Sequence, residues 1–234
     1  MKIVRHDTID STNEEARRLA ETGETGPCWI VAAEQTAGRG RRGRTWISER
    51  GNLFATLLVS PAGAVEQRMQ LSFVAGLAAA DTIACYSPDG VTLKWPNDVL
   101  LFGRKVAGIL LESFGPTLVV GFGINLAHFP HDMEFPATSL AALMRNAPSP
   151  DEALTRLAAF WNAWYEAWRR DGFAPVRAAW LARASGLGES IRVRVMDREM
   201  NGVFENVDDD GALLLRAANG ALARITAGDV LLDS

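Results

Sequence analysis

The chain changes character at Gly186-Leu187-Gly188. Before that point, apolar stretches of strand length are interleaved with longer segments of helical period. After it, apolar and polar residues trade places one by one, as in Ile191-Arg192-Val193-Arg194-Val195 and Gly202-Val203-Phe204-Glu205-Asn206-Val207. A period of two places every second side chain on one face of a strand, so each such strand needs sheet partners and a core to cover that face. Asp208-Asp209-Asp210-Gly211 supplies a hairpin turn before Ala212-Leu213-Leu214-Leu215-Arg216, because glycine accepts the backbone that tight turns demand. The break predicts two domains: residues 1–186, an α+β unit of strands and helices, and residues 187–234, a small antiparallel barrel or sandwich.

Within the first domain, Ser11-Thr12-Asn13-Glu14 reads as a helix start, with a capping box between Ser11 and Glu14. That helix is expected to reach Thr22 and stop at Gly23. Residues 29–33, 53–59, 91–94, 106–113 and 118–124 read as strands; 66–86, 139–144, 150–170 and 173–184 read as helices. In the third of these helices Leu154, Leu157, Trp161, Trp164 and Trp168 recur at helical spacing, which marks a buried stripe rather than a ligand cage.

At 234 residues and 48% apolar, the chain has the material for a full core. Its net charge of −4 argues against a broad nucleic-acid-binding face. Cys28 and Cys85 lie in apolar stretches and read as buried free thiols, which fits a reducing compartment. The N-terminus lacks the apolar run of a signal peptide, and Leu71 to Tyr86, broken by Asp81, is too short to span a bilayer. A soluble cytoplasmic protein is expected. His6, His128 and His131 show no metal-ligand spacing, and the last two are expected in a surface loop.

Four segments carry chemistry. Gly38-Arg39-Gly40-Arg41-Arg42-Gly43-Arg44 sets four guanidinium groups among three glycines. Guanidinium forks suit phosphate and carboxylate oxygens, and the glycines let the loop bend over a polyanion; a solvated basic turn is the plainer reading. Lys94-Trp95-Pro96-Asn97-Asp98 reads as a Pro-Asn-Asp turn, which leaves Lys94 at a strand end unexplained. In Lys105-Val106-Ala107-Gly108-Ile109-Leu110 a lysine opens an otherwise buried strand, and Gly108 admits a close approach to the backbone. Gly121-Phe122-Gly123-Ile124-Asn125 is a glycine-spaced strand end finishing in an amide; with no helix after it, it fails as a dinucleotide fingerprint.

With Ser11-Thr12-Asn13 and Gln35-Thr36-Ala37 ahead of them, and in this order, these segments resemble the biotin protein ligases, which attach biotin to carboxylase carrier domains. The resemblance is strong from about Asp10 to Leu126. It is weaker through 136–140 and into the C-terminal barrel, which has no chemical motif of its own; residues 127–150 do not align with the family, which leaves adenine contacts there unassigned. It implies a catalytic domain of the biotin/lipoate ligase fold, like that of class II aminoacyl-tRNA synthetases, with an SH3-like barrel behind it. The implied substrates are biotin and ATP, with Mg²⁺ bridging phosphate oxygens and no metal ligands from the chain.

In the implied reaction, the biotin carboxylate attacks the α-phosphate of ATP and releases pyrophosphate. A lysine of the carrier protein then attacks the biotinyl-adenylate and releases AMP. Arg39 and Lys105 are implied near the biotin carboxylate and α-phosphate, with Arg41, Arg42, Arg44, Lys94, Asn97 and Asn125 on the nucleotide side. Ser11, Thr12, Asn13, Gln35 and the backbone of Arg39, Gly40 and Arg41 are implied around biotin. Ser11 is expected to cap the helix while Thr12 and Asn13 face the ligand. Trp46 is similar to a family position near adenine, and a core role competes with that. Asp98 is left with three roles: orienting the acceptor ammonium, taking its proton, or holding Mg²⁺; Asp98→Asn is expected to slow transfer more than adenylation. Lipoate ligases share the fold and reaction type but differ in the signature strand. A DNA-reading domain, found in bifunctional members, has no room before Ser11, so no DNA partner is expected. The resemblance allows a homodimer.

Overall fold

The computed structural model describes residues 1–61, 65–131 and 135–231. Its larger sheet contains β1 (Lys2–Ile9), β2 (Cys28–Gln35), β3 (Leu53–Val59), β4 (Val91–Lys94), β5 (Asp98–Leu101), β6 (Arg104–Phe114) and β7 (Thr117–Ile124), in the order β1-β2-β3-β7-β6-β5-β4. β1 and β2 run parallel and the other neighbours antiparallel, so the sheet is mixed. β1 and β5 were not legible as strands: β1 is a polar edge, and β5 hides in the Pro-Asn-Asp turn it completes.

Strand alternation divides the core. On one face Trp29, Leu57, Val120 and Phe122 meet α2 (Leu71–Ala84), α3 (Pro150–Asp171) and α4 (Phe173–Leu181); on the other Cys28, Ile30, Leu58 and Val119 meet Ala16 of α1 (Thr12–Glu21). α2 is buried nearly all round, which explains its apolar sequence, and Asp81 within it accepts from Trp164 Nε1 at 2.7 Å and Arg183 Nη1 at 2.6 Å. The charge that interrupts the apolar run thus ties α2 to α3 and to the segment that follows α4. In α3, Leu154, Leu157, Trp161 and Trp168 are buried and Trp164 is half-buried, as the spacing predicts.

Three local expectations are corrected. Residues 139–144 form no helix, because Leu140 and Ala141 give their N–H groups to Asn125 and Leu126; pairing with the end of β7 replaces the helical ladder. The α-helix expected from residue 66 begins at Leu71, after a 3₁₀ segment Val65–Gln70. Cys85 is exposed, at the frayed end of α2, while Cys28 is buried as expected and both are free.

Beyond Gly188, β8 (Ser190–Val195), β9 (Arg198–Val207), β10 (Leu213–Arg216), β11 (Leu222–Ile225) and β12 (Asp229–Leu231) form an antiparallel sheet in the order β11-β10-β9-β8-β12. The acidic turn joins β9 to β10 as its sequence predicts. The sheet closes against the larger one through Leu213, Phe204 and Val230, which share the main core.

Candidate active site

A cleft of about 1260 Å³, counted to its open mouth, lies on the sheet face that α2–α4 leave bare. Every residue given a catalytic, biotin or nucleotide role from sequence lines it except Arg42. Its floor is β6 and β7, where Gly108 and Gly123 are register partners and Leu110 stands opposite Gly121. A Cβ on Gly123 would lie 2.4 Å from the Trp46 ring, and one on Gly108 2.9 Å from it. The glycine pair is therefore a shelf shaped for a flat group. Trp46 lies on it half-buried, its Nε1 without a partner, so Trp46 belongs to the cleft rather than to the core.

The lysines stand at one end of this floor. β4 delivers Lys94 and β6 delivers Lys105, because β5 folds back between them and carries Asp98. Asp98 Oδ1 is 2.7 Å from Lys105 Nζ, and Oδ2 is 4.0 Å from Lys94 Nζ. The nearer contact is ionic without hydrogen-bond alignment, which leaves Oδ1 with no hydrogen-bond donor. Lys94 is 5% exposed, and burial lowers its pKa from the usual 10.5 while the Asp98 charge opposes the change. Its ammonium also faces the Phe135 ring at 3.8 Å. Residues 136–138 are held beside Lys105 by Lys105 N donating to Pro136 O at 2.8 Å and Thr138 N donating to Lys105 O at 2.9 Å. Asn97 Nδ2 donates to Ile109 O at 2.6 Å, and Asn125 Nδ2 to Thr138 O at 3.0 Å. Both amides thus frame the site as much as they face it.

The arginine loop crosses the mouth as a tight hairpin: Gly40 N donates to Arg44 O at 2.7 Å and Trp46 N to Gly38 O at 2.9 Å. A Cβ on Gly38 would sit 2.4 Å from Trp46 O, so this crossing needs glycine. Arg39 pairs with Glu14 and donates to Glu112 Oε1 at 3.0 Å. The other three arginines converge on Asp229 of β12, with Arg44 at 2.7 Å, Arg42 at 3.3 Å and Arg41 at 3.7 Å. Arg42 points to that carboxylate instead of into the cleft. Arg41 also donates to Asn97 Oδ1 at 3.0 Å, and burial lowers its pKa. The C-terminal sheet, without a motif of its own, thus places a carboxylate in the cleft wall.

At the opposite end, Gln35 Oε1 accepts from Thr12 N at 2.8 Å. Ser11 stands at the N-cap position but makes no side-chain cap bond, and Glu14 turns to Arg17 and Arg39, so the predicted capping box does not form. Gln35 caps the helix from β2 in its place and leaves the Ser11 hydroxyl for the cleft. Thr56, the one polar residue of Leu53–Val59, holds Asn13 Oδ1 at 2.7 Å and lies 2.8 Å from Thr12 Oγ1. A hydroxyl in an otherwise apolar strand was the signal that could have found it. Asp229 and Phe135 offered none.

Residues 6–126 match the model of the biotin/lipoate A/B protein ligase family, and residues 186–233 that of the biotin protein ligase C-terminal domain. The chain is 46% identical over 223 residues to a biotin–[acetyl-CoA-carboxylase] ligase of Paracoccus denitrificans, covering 90% of this chain and 92% of that protein. A protein of the same name from Mycobacterium tuberculosis is 34% identical over 228 residues, covering 94% and 85%. Among solved structures, a biotin protein ligase from Aquifex aeolicus in complex with biotin and ATP superposes with a TM-score of 0.85 at 26% identity, covering 98% of this chain and 97% of that one. A mixed sheet with a cationic loop over a lysine-lined cleft, joined to a small antiparallel sheet, is therefore a ligase architecture. The chain belongs to the biotin/lipoate A/B protein ligase family, among its biotin protein ligases.

Proposed function

We infer that this chain is an ATP-dependent ligase that activates biotin as biotinyl-5′-AMP and transfers it to a lysine of a biotin carboxyl carrier protein. The observation that carries this reading is the convergence of Arg39, Arg41, Arg44, Lys94 and Lys105 on one cleft with an uncharged, glycine-floored end. A carboxylate and a triphosphate repel each other, and fixed cations aimed at the developing charge offset that repulsion by about 3–4 kcal/mol per donor.

In the first step a biotin carboxylate oxygen bonds to the α-phosphorus, and pyrophosphate leaves. In the second an acceptor amine, having lost its proton, bonds to the acyl carbon, and AMP leaves. We assign Lys105 and Arg39 to the carboxylate and α-phosphate, and Lys94, Arg41, Arg44, Asn97 and Asn125 to the nucleotide. Arg42 acts through Asp229 on the order of the loop. Ser11, Thr12, Asn13, Gln35 and the backbone of Arg39 to Arg41 take the ring end of biotin, and Trp46 yields the glycine shelf or closes over it. Asp98 anchors Lys105 and reaches toward Lys94, which supports a share in adenylation as well as in transfer. Mg²⁺ would enter with the phosphates and screen their charge, and Asp98 is the residue that would hold it if the chain supplies a ligand. Residues 187–234 form the second domain in this reading, and the cytoplasm, which supplies ATP and carrier, is its compartment. No DNA partner is included. Among the described residues no helix is long and apolar enough to cross a membrane. A homodimer would pair open sheet edges, either β1 or the 110–114 half of β6 that β5 leaves uncovered, and sedimentation velocity tests it.

The test of function is an ATP-dependent assay with a carrier domain, reading pyrophosphate, the adenylate and the acylated carrier by mass. Biotin is expected to support turnover. Turnover with lipoate in its place would move the chain to the other branch of the family.

A further inference from the structure

Glu112 projects from β6 on the face of Gly108 and Leu110, one position beyond the cleft lining on that face. Its two oxygens serve two different elements. Oε2 accepts from Asn13 Nδ2 of α1 at 2.9 Å, and Oε1 accepts from Arg39 Nη2 of the loop at 3.0 Å. The far end of the Asn13 amide is fixed too, since Oδ1 accepts from Thr56 Oγ1 at 2.7 Å. Gly121 leaves the room for this: a Cβ there would come within 2.2 Å of that oxygen. Asn13 therefore cannot rotate its amide without losing both bonds. The Glu112 side chain is only 22% exposed, and a carboxylate so enclosed demands its donors in return. A carboxylate alone suits the place, because glutamine has one acceptor oxygen and would turn an NH₂ toward either Asn13 Nδ2 or the guanidinium.

We propose that Glu112 is a positioning residue for biotin recognition, acting through Asn13, with Arg39 sharing its other oxygen. The proposal rests on the reading that Asn13 meets the ring end of biotin. That end is bound alike in ground and transition states, so the effect falls on KM rather than on kcat.

The experiment measures adenylate formation by pyrophosphate release in wild type, Glu112→Gln, Asn13→Ala and the double variant, with thermal melts of each. Glu112→Gln is expected to raise the biotin KM about tenfold, with a smaller fall in kcat from the lost Arg39 partner and the ATP KM within about twofold. On the Asn13→Ala background the same change is expected to add less than twofold, since the residue it acts through is gone. Glu112→Asp, which keeps the charge one methylene short, is the second variant and should fall between. Full additivity in the double variant, or equal rises in both KM values with a lowered melting midpoint, would overturn the proposal in favour of a general structural role. Absence of pyrophosphate release from wild type would sink the ligase reading instead, so the two failures are distinguishable.

Discussion

The floor of the cleft and the loop across its mouth are held by opposite means. The floor is backbone: β6 and β7 pair in unbroken register from Ala107↔Ile124 to Phe114↔Thr117, and its glycines make it flat. The loop has one short hairpin of its own and is otherwise held by ion pairs, Arg39 to Glu14 and Glu112, the remaining arginines to Asp229. A hydrogen-bonded ladder keeps its shape when a ligand arrives. Paired charges can exchange one anion for another, so in the proposed reading carboxylates hold the arginines until phosphate arrives. The lesson is a rigid surface for the uncharged part of a substrate and an exchangeable one for its charged part.

The largest effect that would test this division is at Lys105, the cation fixed to the floor. Lys105→Ala is expected to slow adenylate formation by about 10²–10³-fold, read as pyrophosphate release in a single turnover; a near wild-type rate would remove Lys105 from the chemistry. Gly123→Ala attacks the floor itself, forcing a methyl against Trp46. Overpacking of this kind costs about 1–3 kcal/mol, visible as a lowered melting midpoint together with weaker biotin binding by calorimetry. An unchanged midpoint would show that the shelf yields.

Asp229→Ala attacks only the loop. It leaves three arginines without their shared carboxylate, and we expect an ATP KM raised about tenfold, the ~1.4 kcal/mol typical of a lost charged partner, plus faster tryptic cleavage at Arg41 to Arg44. The biotin KM should hardly move; if it rises equally, floor and loop are not separable. The smallest effect is a pH dependence. Burial lowers the Lys94 pKa, so the folded state disfavours its charge, and Lys94 costs stability while protonated. That cost is relieved as pH rises from the lowered pKa toward 10.5, so the Lys94 contribution favours folding at alkaline pH. With Lys94 on the nucleotide side as proposed, ATP binding should reverse the sign, weakening over the same window as its ammonium is lost. Lys94→Met would abolish both trends, measured by melts and by calorimetry in buffers of different ionisation enthalpy.

Periodicity was enough for most strands, for α3 with its tryptophan stripe and for the acidic β9–β10 turn, because those depend on near neighbours. It failed at residues 139–144, where Leu140 and Ala141 give their N–H groups to Asn125 and Leu126 just past β7, and at Ser11, whose capping role is taken by Gln35 from β2. The cleft was legible where residue type alone signals chemistry, in clustered arginines, strand-end lysines and spaced glycines. Glu112 and Asp229 were not, for each looks ordinary in its own segment, and Thr56 gave only the signal of a lone hydroxyl in an apolar strand.

What the amino-acid order decides by itself is local: which segments are strands or helices, where the chain can bend sharply, and which cations and amides are on hand. The tertiary structure decides the pairings, because a carboxylate recruits whichever cation or donor the fold brings close to it. Asp229 finds three arginines more than 180 positions away only once the two sheets have met, and Glu112 joins Asn13 to Arg39 only once β6, α1 and the loop are brought together.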